Sequence, residues 1–127
     1  RFGEIVVRSF EWDERLVRWI ALTVGRPHWK HYMAFDGATA VATGAIYFSA
    51  GYGWIDLAAT LSEYRDRGAQ GALVRQRLLD GIAAGVKGFV VETAQQTPEK
   101  QAPSHRNMLR YGFIEAYPRP NLLLELE

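Results

Sequence analysis

The alternation of apolar and polar residues predicts three strands in the first half of the chain. They are His31–Phe35, Ala40–Ser49 and Trp54–Ala59, each rich in apolar residues and bounded by turn residues. The turns Asp36-Gly37 and Gly51–Gly53 are short enough to join neighbouring strands directly. The pattern therefore predicts an antiparallel meander.

Two elements are predicted before the meander. The apolar run within Glu4–Arg8 predicts a short strand. Glu11–Val24 predicts an amphipathic helix, because its apolar residues recur at helical spacing. Gly25 and Pro27 are expected to end that helix.

A helix and a further strand are predicted after the meander. The helix has an apolar stripe formed by Val74, Leu78, Ile82 and Val86. Its charged residues, Arg75, Arg77 and Asp80, are expected to face away from that stripe. Phe89–Thr93 is the next predicted strand. Strand, helix and strand in succession predict a right-handed crossover, so Trp54–Ala59 and Phe89–Thr93 should be parallel.

The C-terminal part is predicted to hold one short helix and a hairpin. The helix runs from Ser104 to Tyr111 and is closed by Gly112. Phe113–Tyr117 and Asn121–Leu126 are predicted strands on either side of the turn PRPN. Together these elements predict an α/β protein with a mixed sheet.

Composition and charge exclude several classes of function. A chain of 127 residues has the size of one domain, and its net charge of +1 argues against a general nucleic-acid surface. It has no cysteine, which excludes a disulfide, a thiolate metal site and a cysteine nucleophile. The three histidines form no metal-ligand pattern, and no apolar run approaches the ~20 residues of a membrane span. We therefore expect no metal, no nucleic-acid partner and no membrane association.

The most informative stretch is the loop YRDRGAQGAL, residues 64–73. It lacks the Gly-Lys-Ser/Thr ending of a P-loop, and it has too few glycines in register for the dinucleotide fingerprint. Two arginines, Arg65 and Arg67, precede Gly68 and Gly71. Asp66 lies between the arginines and is expected to pair with one of them.

This loop joins the carboxyl end of a strand to the amino end of a helix, where unpaired backbone N–H groups favour an anion. Gly68 and Gly71 let a ligand approach those N–H groups. Arg65 and Arg67 can donate charge-assisted hydrogen bonds to phosphate oxygens. The loop therefore favours a pyrophosphate site, and a glycine-rich turn with solvated arginines is the alternative.

The order of the elements and two motifs resemble the GNAT family of N-acetyltransferases. The family signature Arg/Gln-x-x-Gly-x-Gly/Ala is matched by Arg65 and Gly68, whereas Gln70 stands where the family usually has Gly or Ala, and Gly71 follows. The stretch SHRNMLRYGF resembles the second motif, a helix followed by Gly-Phe. Ser104 falls where some members carry a serine. The resemblance covers residues 28–127.

The resemblance implies the GNAT-like acyl-CoA N-acyltransferase fold, a mixed, mostly antiparallel sheet with one splayed parallel pair. It implies that acetyl-CoA lies in the splay between Trp54–Ala59 and Phe89–Thr93. The residues implied to bind acetyl-CoA are Leu57, Ala58, Ala59, Thr60, Arg65, Arg67, Gly68, Ala69, Gln70, Gly71, Ala72, Ser104 and Asn107.

A single GNAT-like domain is expected over residues 1–127. Family members usually have a first strand and paired helices ahead of the meander, and here the first strand is weak. The chain also begins at Arg1 without a methionine. We therefore expect a domain truncated at its N-terminus or one half of a tandem.

The resemblance implies direct attack of a substrate amine on the thioester. An alkyl amine with a pKa of about 10 is only ~0.1% free base at pH 7, so a base is useful. Asp56 and Glu92 are the candidate bases, because an acidic residue in an apolar strand must find a partner or water. Glu92 is preferred, and its alternative role is to pair with Arg106 or Arg110.

The general acid departs from the family pattern. The tyrosine that usually serves lies four residues before the glycine of Gly-Phe, and that position is Met108. Tyr111 and His105 lie nearby on the same helix and are candidate acids. Packing before the Gly-Phe turn is the alternative role for Tyr111, and solvation at the surface is the alternative for His105.

Together, the motifs predict a cytoplasmic N-acetyltransferase that moves an acetyl group from acetyl-CoA to a small-molecule or peptide amine. A catalytically degenerate acyl-CoA-binding module and a nucleotide-binding regulatory domain are the alternatives. A second copy of the chain, or a second GNAT-like domain, is the partner protein left open. Most aromatics of the meander are expected to pack in the core, with some lining an acceptor pocket: Trp29, Tyr32, Tyr47, Tyr52 and Trp54.

Overall fold

The computed structural model describes residues 1–95 and 97–126. They form two compact units, one spanning Arg1–Glu92 and the other beginning at Thr93. The first unit contains the sheet and three of the helices, and the second contains one helix. The expectation of a single domain, truncated or one half of a tandem, stays a prediction.

The sheet has four strands in sequence order. They are β1 (Trp29–Asp36), β2 (Thr39–Ser49), β3 (Tyr52–Thr60) and β4 (Gly88–Val91). β1 and β3 both pair antiparallel with β2, and β4 pairs parallel with β3. The predicted meander, the parallel pairing of the strands before and after the crossover helix, and the mixed α/β class are confirmed.

β3 carries a bulge near its middle. Ala45 of β2 faces Asp56, but Thr43 faces Ala59, so two steps along β2 match three along β3. Leu57, inside this irregular stretch, has a left-handed φ of +51°. Since a side chain at positive φ is uncommon, the bulge is a fixed local feature that surrounding contacts must hold.

The predicted strand Glu4–Arg8 is wrong, because the segment belongs to helix α1 (Phe2–Phe10). Phe2, Ile5 and Val6 are all buried, and their spacing of three and four residues places them on one helical face. The β-branched residues of this run favour a strand locally. The segment is nevertheless helical, because a helix buries these apolar side chains together on one face.

The long helix predicted over Glu11–Val24 is also wrong. α1 ends at Glu11, which adopts a left-handed φ of 54°, and only Leu16–Ala21 forms a second helix, α2. The Asp13 carboxylate accepts the backbone N–H of Arg15 at 2.9 Å, which favours a turn at this point. The chain thus makes two short helices where the periodicity predicted one.

The crossover helix, α3 (Ala69–Ala83), follows a short 3₁₀ turn at Ser62–Tyr64. Its buried side is rotated from the predicted stripe and consists of Leu73, Val74, Arg77 and Gly81. Ile82, predicted to be buried, is 66% exposed, whereas Arg77, predicted to be exposed, is 0% exposed. Gly81 contributes to this difference. Because it has no Cβ, this side of α3 can pack directly against the Phe89 ring, which a Cβ at Gly81 would overlap.

The main core lies between the sheet and the two N-terminal helices. A smaller core lies under α3 and contains Val41, Ala42 and Leu73. The main core contains Phe2, Ile5, Val6, Val7, Ile20, Ala40, Ala45, Ala59 and Leu61. The sheet is therefore covered on both faces in the first unit.

The second unit contains helix α4 (Pro103–Arg110), close to the predicted bounds. The two strands predicted after it are wrong, because residues 113–126 form no strand in the structure. Leu122 is 94% exposed and Ile114 is 87% exposed. A strand requires a partner for its backbone groups, and the apolar alternation specifies only which side chains share a face.

Candidate acyl-CoA site

The first turn of α3 presents backbone N–H groups with no side-chain cap. Gly68 is the N-cap residue, with a left-handed φ of +83°, and no side chain caps the helix. The first intrahelical bond is donated by the Ala72 N–H to the Gly68 carbonyl at 3.1 Å. The N–H groups of Ala69, Gln70 and Gly71 precede it and suit an anion at the positive end of the helix dipole.

The space in front of this turn is open at Gly68. A Cβ added there meets no atom within 4 Å. Glycine is needed for the positive φ, and it also leaves room for a ligand to reach the amides. The residues present therefore fit a pyrophosphate, the group that the sequence predicted for this loop.

The two loop arginines differ in their contacts. Arg67 lies 3.7 Å from the Asp36 carboxylate, and its guanidinium stacks over the Tyr64 ring at 5.2 Å. Arg65 donates to the Thr60 carbonyl at 3.4 Å and forms no ion pair with a described carboxylate. The expected pairing of Asp66 with one of these arginines is not found among the described residues, and Asp36 is the carboxylate beside Arg67.

The side chain of Gln70 turns away from the anion site. Its Nε2 donates to the Ala59 carbonyl at 2.8 Å, to the Thr43 carbonyl at 3.1 Å and to the Thr60 hydroxyl at 3.1 Å. Gln70 therefore ties the first turn of α3 to the end of β3. As a predicted cofactor residue it offers its backbone N–H, while its amide side chain serves the sheet.

The predicted pantetheine residues, Leu57 to Thr60, lie on the part of β3 that β4 does not reach. The parallel pairing ends where Ile55 faces Val91. Beyond this pair, the β4 side of β3 has no strand partner among the described residues. Its backbone groups are positioned to pair with the amides of an extended ligand.

The two candidate bases lie just past the last β3–β4 pair. Asp56 is half-buried, and burial, together with the negative charge of Glu92, raises the pKa of its carboxyl. A hydrogen bond with the Leu57 backbone and the charge of Arg77 act in the opposite direction. Glu92 is exposed. We predicted Glu92 as the preferred base from the sequence, but Asp56 is the more buried of the two carboxylates.

Aromatic side chains extend from Asp56 across the same face of the sheet. Trp29 faces Tyr47 across β1 and β2, and Tyr47 faces Trp54 across β2 and β3. The Trp29 ring lies 5.0 Å from Tyr47 and 6.2 Å from Trp54. Trp54 precedes Asp56 by two residues, so their side chains share a face. These aromatics are partly buried, as expected for packing with some exposed ring surface.

His31 joins this cluster but faces inward. It stacks on Trp29 at 5.4 Å, and its Nε2 lies 2.7 Å from the Thr23 hydroxyl. Burial lowers the pKa of its imidazole. His31 is thus a packed, hydrogen-bonded histidine in the first unit.

Arg77, near the site, was predicted to be exposed and is instead buried. Its guanidinium donates to the carbonyls of Leu73, Ala45 and Asp56 at 3.0, 3.2 and 3.3 Å. Burial lowers its pKa to about 10. A Cβ at Gly44 would lie 2.8 Å from the Arg77 Cζ. Glycine inside an apolar strand was the available signal, because it often marks a close approach.

The predicted site residues of the second unit lie on or beside α4. Ser104 and Asn107 are within α4, and Tyr111 follows it as the C-cap, 42% exposed. The His105 ring contacts two side chains: its Nε2 lies 2.8 Å from the Glu115 carboxylate and its Nδ1 3.3 Å from the Thr93 hydroxyl. Its side chain is 17% exposed, so the alternative of a solvated histidine is wrong.

Among the described residues, no cluster of three or more histidine, aspartate or glutamate side chains has an arrangement that could bind a metal ion. None of the helices in residues 1–95 and 97–126 combines the length and apolar character needed to cross a membrane.

The chain matches known proteins by structure and not by sequence. No protein-family model and no curated protein matches it. The structure of AAC(6')-Iy with the bisubstrate analogue CoA-S-monomethyl-acetylneamine is similar, with a TM-score of 0.75 and 12% identity over 98% of this chain and 90% of that one.

Two further structures extend the comparison. A Xanthomonas campestris protein described as belonging to the GNAT family has a TM-score of 0.67 and 19% identity, over 99% of this chain and 82% of that one. A Bacillus halodurans transcriptional regulator has a TM-score of 0.72 and 15% identity, over 97% and 93%. At these identities the similarity shows the fold alone. The predicted GNAT-like fold is confirmed.

Proposed function

We propose that this chain is an N-acetyltransferase that transfers the acetyl group of acetyl-CoA directly to an amine. One observation carries the proposal: the uncapped first turn of α3 lies beside the stretch of β3 whose β4 side has no strand partner among the described residues. Gln70, in that turn, bonds the Ala59 carbonyl at 2.8 Å, which makes the two features adjacent. An anion site next to a bare strand edge suits a ligand with a pyrophosphate and an extended amide chain.

Named residues divide the binding of acetyl-CoA between them. The N–H groups of Ala69–Gly71 hold the pyrophosphate, and Arg65 and Arg67 add charge-assisted hydrogen bonds. The backbone of Leu57–Thr60 pairs with the pantetheine amides. In AAC(6')-Iy, which has the same fold, the bound analogue contains CoA.

Asp56 is the base that we assign to the reaction, acting directly or through one water, with Glu92 beside it. The protonated amine loses one proton to Asp56, and its nitrogen forms a bond to the thioester carbonyl carbon; its second proton passes to the departing thiolate or to water. The carbon–sulfur bond then breaks, and the thiolate of CoA leaves. A CoA thiol has a pKa near that of a cysteine thiol, about 8.5, so the thiolate can leave without a strong acid.

The acceptor lies on the aromatic face that carries Asp56. Trp54 and Tyr47 offer ring surface, and Asp56 and Glu92 offer negative charge. Aromatic faces and carboxylates together attract cations, so the acceptor is expected to carry a second positive charge besides the reacting amine.

The test is a titration of the whole chain with CoA, pantetheine and ATP, followed by transfer assays on an amine panel. CoA should bind more tightly than pantetheine, because pantetheine lacks the pyrophosphate that the α3 amides hold. Equal binding of the two would rule out the pyrophosphate site. Preference for ATP over CoA would instead support a nucleotide-binding domain.

The degenerate alternative is distinguished by the same assays. It is favoured by Met108, whose thioether cannot donate a proton where a tyrosine is usual in the GNAT family. Tight CoA binding without transfer to any amine, together with no acetyl-CoA hydrolysis, would establish a binding module and contradict the enzyme proposal.

A further inference from the structure

Two polar side chains of α3 reach the sheet on either side of the β3 bulge. Gln70 bonds the carbonyls of Thr43 and Ala59, which face each other across β2 and β3. Arg77 bonds the carbonyls of Ala45 and Asp56, the next facing pair past the bulge. Arg77 follows Gln70 by seven positions, about two helical turns, so both project from one side of α3.

These contacts supply hydrogen-bond donors to backbone carbonyls around the bulge. A bulge interrupts the ladder, and the backbone groups that it leaves without ladder partners must be satisfied in another way. Four carbonyls at the two facing pairs accept from Gln70 and Arg77, while the Thr43 hydroxyl donates to the Leu57 carbonyl at 2.9 Å. The bulge is therefore held from the α3 side by donors alone.

Arg77 has features that packing alone does not explain. It is fully buried, and no ion pair with a described carboxylate balances its charge. Its Nη2 atom has no hydrogen-bond partner in the described chain. Tyr32, whose hydroxyl donates to the Asp80 carboxylate at 2.6 Å, and Asp56 are near enough to act on its charge. An apolar side chain would fill this space at lower cost, unless the carbonyls require a donor.

We propose that Gln70 and Arg77 are positioning residues that fix the β3 bulge, so that Asp56 and the backbone of Leu57–Ala59 face the acetyl-transfer site. The proposal rests on the function proposed above. The helix α3 then has two roles. The backbone N–H groups of its first turn bind the pyrophosphate, and the side chains of Gln70 and Arg77 fix the conformation of the β3 segment that carries Asp56.

The test uses Arg77→Met, Arg77→Lys and Gln70→Leu in the whole chain. Arg75→Met and Arg75→Leu are matched controls, because Arg75 is exposed on the same helix. Hydrogen exchange of the Leu57–Ala59 amides is measured on each folded protein without ligand. Exchange should accelerate at these amides in Arg77→Met and Gln70→Leu, should be partly restored in Arg77→Lys, and should be unchanged in the controls.

The pH titration of the Asp56 carboxyl by NMR separates positioning from general stability. Asp56 faces the charges of Arg77 and Glu92 and accepts from the Leu57 backbone. Removing the Arg77 charge should raise its pKa in Arg77→Met, whereas Arg77→Lys and both controls should titrate as the unmodified chain does. In transfer assays, kcat should fall at least about tenfold in Arg77→Met, as expected when a charged hydrogen bond is lost.

These readouts keep the two proposals apart. If the unmodified chain binds no CoA, the proposed function fails, but exchange and titration still report on the bulge. If folded Arg77→Met shows unchanged exchange at Leu57–Ala59 and an unchanged Asp56 titration, the positioning role is wrong. Should Arg77→Met fail to fold, Gln70→Leu and Arg77→Lys decide the question by the same exchange measurement.

Discussion

The two compact units of the chain differ in how much of their apolar surface is buried. In Arg1–Glu92, helices cover both faces of the sheet, and Ile5, Val6 and Ile46 are completely buried. In the unit that begins at Thr93, Ala102 is the one buried apolar residue among the described residues, and Leu122–Leu124 are at least 82% exposed.

This difference separates the site residues into two groups. The anion site, the bulge and Asp56 are held by contacts within the first unit. Ser104, Asn107 and Tyr111 belong to the second unit, where less apolar burial fixes their positions. We therefore expect substitutions in the first unit to have the largest effects on binding and catalysis, and those in the second unit to have the smallest.

The largest effect is expected from Gly68→Glu. The new carboxylate enters the anion site and the new side chain covers the α3 amides, so CoA affinity should fall more than about a hundredfold, or ~2.7 kcal/mol. The measurement is CoA affinity by calorimetry, alongside a melting curve.

Gly85→Glu is the matched control for this substitution. Gly85 also has a positive φ, +80°, with no atom within 4 Å of an added Cβ, but it follows the C-terminal end of α3. Both variants carry similar backbone strain and the same new charge. Unchanged CoA affinity in folded Gly68→Glu, or an equal loss in Gly85→Glu, would contradict the assignment of the loop.

The second largest effect is expected from Asp56→Asn. Loss of a general base typically costs between about 10² and 10⁴ in rate, and Glu92 can replace part of this function. In the unmodified chain, kcat/KM should rise with pH on a slope near one until the raised pKa of Asp56 is passed. Assays of Asp56→Asn, Glu92→Gln and the double variant measure both effects. Full activity in the double variant would exclude both carboxylates.

The same substitution should stabilise the fold. Burial raises the folded-state pKa of Asp56, so the folded chain binds more protons than the unfolded chain between the ordinary pKa and the raised one. Stability then decreases as pH rises through that window. At neutral pH, Asp56→Asn removes an unfavourable buried charge, and its melting temperature should exceed that of the unmodified chain. A lower melting temperature would contradict this account.

The sequence predicted the parts of the fold that depend on local pattern. Alternation and glycine turns specified β1 to β3, and the crossover rule specified that β4 is parallel to β3. It could not predict the burial of Arg77, because the space for the guanidinium depends on Gly44, which is distant in sequence. The alternation after Gly112 predicted strands, but a strand also requires a backbone partner that no local pattern supplies.

The candidate site likewise contains residues that the local sequence predicts and residues whose roles depend on distant parts of the chain. Gly68 and the arginines were found because an anion at a helix N-terminus depends on neighbouring residues of one loop. The inward turn of the Gln70 side chain, by contrast, depends on Thr43 and Ala59, which come from two strands. Asp56 and Glu92 were found as a pair, and only the difference in their burial ranks Asp56 first.

A smaller effect is expected at the loop arginines, and it should be larger for Arg65 than for Arg67. Arg67 is already partly neutralised by Asp36 at 3.7 Å, whereas the acceptor of Arg65 among the described residues is the Thr60 carbonyl. Arg65→Ala should weaken CoA binding about tenfold, the effect of one charged hydrogen bond. Asp36→Asn is the complementary variant and should tighten CoA binding at low salt. Titrations at two salt concentrations test both, and a larger loss in Arg67→Ala would reverse the ranking.

The smallest effect is expected in the second unit, from Tyr111→Phe. Tyr111 is 42% exposed, and its backbone N–H completes the last turn of α4 by bonding the Asn107 and Met108 carbonyls at 3.2 and 3.1 Å. The substitution keeps the ring and the backbone and removes only the hydroxyl. Because a thiolate with a pKa of about 8.5 can leave unassisted, kcat should fall less than about tenfold, or ~1.4 kcal/mol.

His105→Ala should behave similarly, although it also removes the partner of Glu115. The measurement is kcat for both variants with one accepted amine. A thousandfold loss in Tyr111→Phe, with CoA affinity unchanged, would show that Tyr111 supplies the general acid, and the expectation of small effects in the second unit would then be wrong.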